Sequence, residues 1–186
     1  MSLVRTLVIL LLLAPLSAQA TVFMSQQEAI DGAFGKGAKI ERQTFFLTPA
    51  QIAQIRKLGG GEGKQGLVVR YVGRENGRLL GYLYFDAHRV RTLAETVMFV
   101  VTPAGTVDRI EILSFNEPQE YLPKERWLDQ FRGKKLDADL NLKRAIRPIT
   151  GATLSGRAIV DASRKVLAIH NTLGPASPST GATAAK

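Results

Sequence analysis

Leu67-Val68-Val69-Arg70-Tyr71-Val72-Gly73-Arg74-Glu75-Asn76-Gly77-Arg78-Leu79-Leu80-Gly81-Tyr82-Leu83-Tyr84-Phe85-Asp86 is a pair of β-forming runs around Asn76-Gly77. Asn-Gly is the commonest two-residue hairpin turn, because both central positions of a type I′ turn need positive φ. The reading is therefore two antiparallel strands, Leu67 to Gly73 and Leu79 to Asp86. A second pair, Thr96 to Thr102 and Thr106 to Leu113, flanks Pro103-Ala104-Gly105. Lys39 to Leu47 is also rich in β-formers. Together these predict an antiparallel sheet of four to five strands. Val97-Met98-Phe99-Val100-Val101 lacks polar alternation, which marks a central strand covered on both faces.

Helices fill the intervals. Ser25-Gln26-Gln27-Glu28 has capping-box spacing and opens a short helix to about Phe34. Thr48-Pro49-Ala50-Gln51 repeats that logic with Pro at the first helical position, for a helix to about Leu58. Tyr121 to Phe131 reads as a third helix, stopped by Gly133, with Trp127, Leu128 and Phe131 on one face. The last helix, after Thr153, places Ala158, Ile159, Ala162, Val166 and Ile169 on one face and Arg157, Asp161, Arg164 and Lys165 on the other. The expected class is α+β, one sheet packed with several helices in a single domain, which suits 186 residues.

Outside this domain the chain has its own organisation. Met1 to Arg5 is a short positive end, Leu7 to Leu13 is an apolar run, and Ala18-Gln19-Ala20 suits signal peptidase, so residues 1–20 are expected to be a cleaved secretory signal. Residues 21–65 form an N-terminal helix-strand-helix segment and 66–173 the main domain. Gly59-Gly60-Gly61-Glu62-Gly63 lacks the Gly-Lys-Ser/Thr ending of a phosphate-binding loop and is read as a linker. The Pro, Ser, Thr, Gly and Ala of 174–186 predict a disordered tail. The expected location is periplasmic or otherwise extracytoplasmic.

Composition removes several chemistries. There is no cysteine, hence no disulfide, thiol-bound metal or catalytic thiol. Loss of residues 1–20 takes away only Arg5 among charged side chains and lowers the formal charge from +9 to +8. That charge favours anionic partners. Basic residues are dispersed among acids, with no aromatic-rich basic motif, so nucleic-acid binding is not expected. His88 and His170 are the only histidines, and they read as structural or surface residues. A positive His170 would suit a helix C-terminus. Glu117 and Glu120 form a conceivable acid/base pair without a visible nucleophile. Tyr82, Tyr84 and Phe85 could stack on a flat cofactor ring, but an aromatic strand reads first as core.

The chemistry concentrates in Thr150-Gly151-Ala152-Thr153, where an extended stretch reaches a helix start. Helix N-termini present free N–H groups and positive potential, so a phosphoryl group near Thr153 would be well held. Small residues at Gly151 and Ala152 allow close approach. Equally, Thr153 or Ser155 could serve as an ordinary N-terminal cap. Arg144 and Arg147 could pair with a phosphate or be solvated. Ser179-Thr180-Gly181-Ala182-Thr183 repeats the tetrapeptide with no helix after it, so Thr183 is not expected to act.

Ile149-Thr150-Gly151-Ala152-Thr153 before a helix resembles the Ser/Thr-Gly-Ala-Thr motif of the FMN-binding domain family, which includes flavin subunits of the Rnf and sodium-translocating NADH:quinone reductase complexes. The resemblance runs from about Leu67 to Ile169. It includes Phe115-Asn116-Glu117-Pro118 and Trp127-Leu128-Asp129-Gln130-Phe131-Arg132-Gly133-Lys134. Two departures stand out: Arg147 where the family usually has Asp, and Glu117-Pro118 in place of a longer Glu-Thr-Pro-Gly segment. The resemblance implies FMN joined to Thr153 by a phosphoester, with Thr150, Gly151, Ala152, Leu154 and Ser155 around it. It implies a flavin transferase as the installing partner and membrane-associated redox proteins as electron partners. It describes a redox carrier rather than a stand-alone enzyme. A flavin-free exported module that binds an anionic ligand or a membrane-complex partner is the alternative.

Overall fold

The computed structural model describes residues 21–59 and 66–176. The expected signal segment 1–20, most of the glycine-rich linker and the tail from 177, with Thr183, lie outside the described residues. Among the described residues six strands form one antiparallel sheet: β1 (Thr21–Val22), β2 (Lys39–Phe46), β3 (Leu67–Glu75), β4 (Arg78–Arg89), β5 (Ala94–Val101) and β6 (Val107–Phe115). Their order is β1-β6-β5-β4-β3-β2. The α+β class is as expected, but the strand number is six rather than four to five. The addition is β1, whose two residues pair with Phe115 and Ser114. Two residues are too few to show a period-2 pattern, so only pairing reveals this strand.

The hairpin that decides the fold forms as the sequence requires. Asn76 has φ 50° and Gly77 φ 79°, the two positive values of a type I′ turn. At the other end of β4, residues 90–93 close the turn into β5 through a Val90 N–H to Leu93 carbonyl bond of 3.0 Å.

Four α-helices accompany the sheet among the described residues: α1 (Gln26–Ala33), α2 (Pro49–Gly59), α3 (Glu125–Leu128) and α4 (Thr153–Leu173). Both predicted capping arrangements are present. Ser25 Oγ accepts from Glu28 N–H while the Glu28 carboxylate accepts from Ser25 N–H. Thr48 and Gln51 exchange the same pair of bonds. The expected helix from Tyr121 to Phe131 is broken into a 3₁₀ turn at Gln119–Tyr121, the four residues of α3 and a second 3₁₀ turn at Asp129–Phe131. Pro123 is the reason, since it lacks an N–H and drives Leu122 to an extended ψ of 121°.

The sheet is covered on both faces, which is why Val97 to Val101 are all buried. On one face Tyr82, Phe99, Val101 and Ile110 pack with Phe131, Ile146 and the Ile159, Val166 and Leu167 side of α4. On the other, Leu83, Met98, Val100 and Leu113 meet Ala29 and Ile30 of α1. On the face of α4 opposite its apolar side, Arg164 and Lys165 both find partners. Arg164 donates to the carbonyls of Asp137 and Leu140, and Lys165 pairs with Asp86. Order persists three residues past α4, where the Gly174 carbonyl accepts from Arg70 and Ala176 N–H donates to Tyr82 Oη.

Helices α2 and α4 touch at Gly59. A Cβ there would lie 2.7 Å from Ala168 Cβ and 2.8 Å from the Arg164 carbonyl oxygen. Backbone cannot yield as a side chain does, so Gly59→Ala should push α2 outward. Overpacking of this kind costs about 1–3 kcal/mol, and improved helix propensity returns at most about 1 kcal/mol. The expected net loss, about 1 kcal/mol, is measurable as a lower urea midpoint.

Candidate functional site

The motif is positioned by residues that precede it by some twenty places. Trp127 stacks edge-on against Phe131 with ring centroids 5.4 Å apart, and its Nε1–H donates to the Arg147 carbonyl at 2.7 Å. Gln130 Oε1 accepts from Arg147 N–H at 2.9 Å. The backbone of Arg147 is thereby held on both sides, and the Trp127–Lys134 stretch acquires a structural purpose. From this clamp the chain runs through Pro148 and Ile149, and Ala152 N–H closes a turn on the Ile149 carbonyl at 3.2 Å.

Gly151 makes the corner at φ 80°, where a side chain would be strained although nothing lies within 4 Å of its Cβ position. Helix α4 then begins with Ala152 as N-cap, and no side chain supplies a capping bond. The expected alternative, Thr153 or Ser155 as a cap, is not what forms. The first helical bond is Gly156 N–H to the Ala152 carbonyl at 3.1 Å. The N–H groups of Thr153, Leu154 and Ser155 thus have no partner within the helix, which leaves positive potential at this end of α4.

These groups open on a cavity of about 240 Å³ lined by Val90, Arg91, Glu117, Tyr121, Gly151, Ala152, Thr153, Leu154 and Ser155. Thr153 and Leu154 are exposed, while Ala152 and Ser155 are buried. Thr150 is exposed and stands just outside this lining. The far wall was not read from the sequence as part of the site. Val90 and Arg91 belong to the β4–β5 turn and Tyr121 to a 3₁₀ turn, and only tertiary folding brings them opposite Thr153.

Glu117 builds that wall. Its Oε1 accepts from the N–H groups of Arg91, Thr92 and Leu93 at 3.1, 2.6 and 2.8 Å, and from Thr92 Oγ1 at 3.3 Å. The backbone bonds from Leu93 and Thr92, seconded by those of Arg91 and the Thr92 hydroxyl, hold its carboxyl below the usual carboxylate range. Glu117 is therefore an ionised strut for the turn, and Glu120 is exposed on the neighbouring 3₁₀ turn. Arg144 pairs with Asp139 at 3.6 Å, and neither Arg144 nor Arg147 lines the cavity.

The two histidines take opposite charge states. His88 lies between Asp86 and Glu95, at 2.9 and 2.7 Å, with Lys165 on the other Asp86 oxygen. Burial lowers its affinity for a proton, but the hydrogen bonds and charges of Asp86 and Glu95 outweigh burial and lift its pKa to about 9. Its place is beside the β4–β5 turn, where it faces Glu95 across the strands. His170 is buried against Tyr82 and Tyr84, its Nδ1 3.0 Å from Tyr84 Oη. Burial, reinforced by Arg70, depresses its pKa to about 4, so it is neutral at pH 7, contrary to the expected positive ring.

Stability should follow a bell in pH. A raised pKa at His88 stabilises fully below the unfolded value near 6.5, and that contribution is lost as pH rises toward 9. A depressed pKa at His170 stabilises fully above 6.5, and its share is lost as pH falls toward 4. The maximum should lie near pH 6.5, with each limb worth on the order of 3 kcal/mol. Urea midpoints from pH 4 to 9 test this, and His88→Gln should flatten only the alkaline limb.

The features on this wall suit an FMN phosphate. The free N–H groups of α4 accept an anion, Thr153 offers an exposed hydroxyl beside them, and Gly151 leaves the approach open. Residues 94–168 match the model of the FMN-binding domain family. That span takes in Glu117, Tyr121, Trp127 and the whole motif, and stops short of Val90 and Arg91. No curated protein matches the chain. Over residues 94–168 the chain is thus similar to the FMN-binding domain family, the resemblance that its motif had suggested.

Proposed function

We propose that the chain is an exported electron carrier, with FMN attached to Thr153 through a phosphoester, that relays electrons between membrane-associated redox proteins. The observation that carries this reading is the exposed Thr153 hydroxyl at an uncapped helix N-terminus, opening on a cavity. A flavin transferase using FAD would form the bond from Thr153 Oγ to the FMN phosphorus and break the pyrophosphate bond. AMP leaves, and the hydroxyl proton passes to a base of the transferase.

Bound flavin supplies the redox chemistry. The chain supplies the rest: α4 holds the phosphate by its free N–H groups, Gly151 admits it, and Glu117 fixes the opposite wall. A tether keeps the group at high effective concentration where a dissociable one would be lost by dilution outside the cytoplasm. Export rests on the residue 1–20 pattern, with cleavage near Ala20. The +8 charge of the remaining chain favours acidic redox partners.

The test is the mass and absorbance of the denatured protein after co-expression with a flavin transferase. A flavin-sized mass increase with yellow colour that survives denaturation is the expected result. A colourless chain of unmodified mass would sink covalent attachment and favour the flavin-free binding module.

A further inference from the structure

Arg91 is the one cation among the residues lining the cavity, and it comes from the turn rather than from the motif. Its backbone N–H is fixed by Glu117 at 3.1 Å, so the turn holds it beside the site. The residue is exposed, and among the described residues its side chain enters no salt bridge. Glu117, the one anion of the lining, has Oε1 committed to the N–H groups of the turn. The positive contributions to the cavity are therefore the N-terminus of α4 and Arg91, set against the single charge of Glu117, so loss of Arg91 would leave the lining with a net negative side chain.

We propose that Arg91 sets the reduction potential of the flavin held at Thr153, by giving the cavity a fixed positive charge. The inference rests on the reading of Thr153 as flavin carrier. Two electrons taken up with one proton add one negative charge to a flavin ring. In the test the electrons come from dithionite and the proton from solvent. A fixed cation lining the same cavity favours the reduced form by Coulomb attraction, weakened by water at an exposed rim. Arg91 lies outside the matched span 94–168, so it is a property of this chain rather than of the family model.

The experiment compares spectroelectrochemical potentials of the loaded protein and its Arg91→Gln and Arg91→Lys variants, each checked for attached flavin by mass. Arg91→Gln should shift the preference for the reduced form about tenfold toward oxidised, which is about 30 mV lower for a two-electron couple. Arg91→Lys, which keeps the charge, should retain most of the original potential. Both variants keep the N–H that Glu117 uses, so their melting temperatures should match the parent.

An unchanged potential in flavin-bearing Arg91→Gln overturns the proposal. An equal fall in both variants also overturns it, because shape rather than charge would be responsible. Loss of attached flavin from Arg91→Gln alone would assign Arg91 to installation and likewise overturn it. Absence of attached flavin from the unaltered protein is a different failure, that of the Thr153 reading.

Discussion

Thr153→Val should abolish covalent flavin while leaving the fold intact. Valine keeps the β-branched shape at the first residue of α4 and removes only the hydroxyl. The Thr153 hydroxyl caps nothing in this structure, so the expected stability change is within about 0.5 kcal/mol. Mass spectrometry of the denatured protein should show complete loss of the flavin increment, with an unshifted urea midpoint. Thr150→Val should retain the increment, because Thr150 stands outside the cavity lining. Retention in Thr153→Val would move attachment to another hydroxyl, and Thr183 in the repeated tetrapeptide would be the next residue to change.

Glu117→Ala is expected to cost about 3 kcal/mol and to lower flavin loading. Three backbone donors, at Arg91, Thr92 and Leu93, lose their shared acceptor. An orphaned donor costs about 1–3 kcal/mol when buried, and water reaching exposed Arg91 and Thr92 keeps the total at the lower end. The turn forms one wall of the cavity, so its release should reduce loading even at temperatures where the protein remains folded. Glu117→Gln keeps an acceptor oxygen and loses the charge, and should fall between the two. Urea denaturation gives the first quantity and the ratio of flavin absorbance to protein gives the second. Full loading in folded Glu117→Ala would mean that the turn contributes nothing to the site.

The elements that were legible in the sequence are those specified by neighbours. Asn76-Gly77 requires its turn because two consecutive residues must reach positive φ. Ser25 with Glu28 and Thr48 with Gln51 close their caps within one helical turn. Burial of Val97 to Val101 followed from their unbroken apolar run. Long-range contacts were not legible. The helix expected at Tyr121–Phe131 is a different case, since it gave way at Pro123, a local signal in the sequence itself that the Trp127 and Phe131 spacing had outweighed. Strand β1 depends entirely on β6. The charge state of His88 depends on Glu95 of the next strand as well as on Asp86 two residues before it, and that of His170 on burial beside Arg70; apart from Asp86, no helical or strand periodicity associates these with the histidines.

The site divides in the same way. Sequence alone determined one wall, since Gly151 and the small residues around it make a corner before α4 and Thr153 falls at the first helical position. Local conformational preference suffices for that. Tertiary structure decided the other wall. Glu117, 24 residues beyond Leu93, gathers the β4–β5 turn onto its carboxylate and sets Arg91 across from Thr153. Distant hydrogen bonds of this kind leave no period in the chain, because they depend on where the sheet delivers each residue and not on the residues beside it.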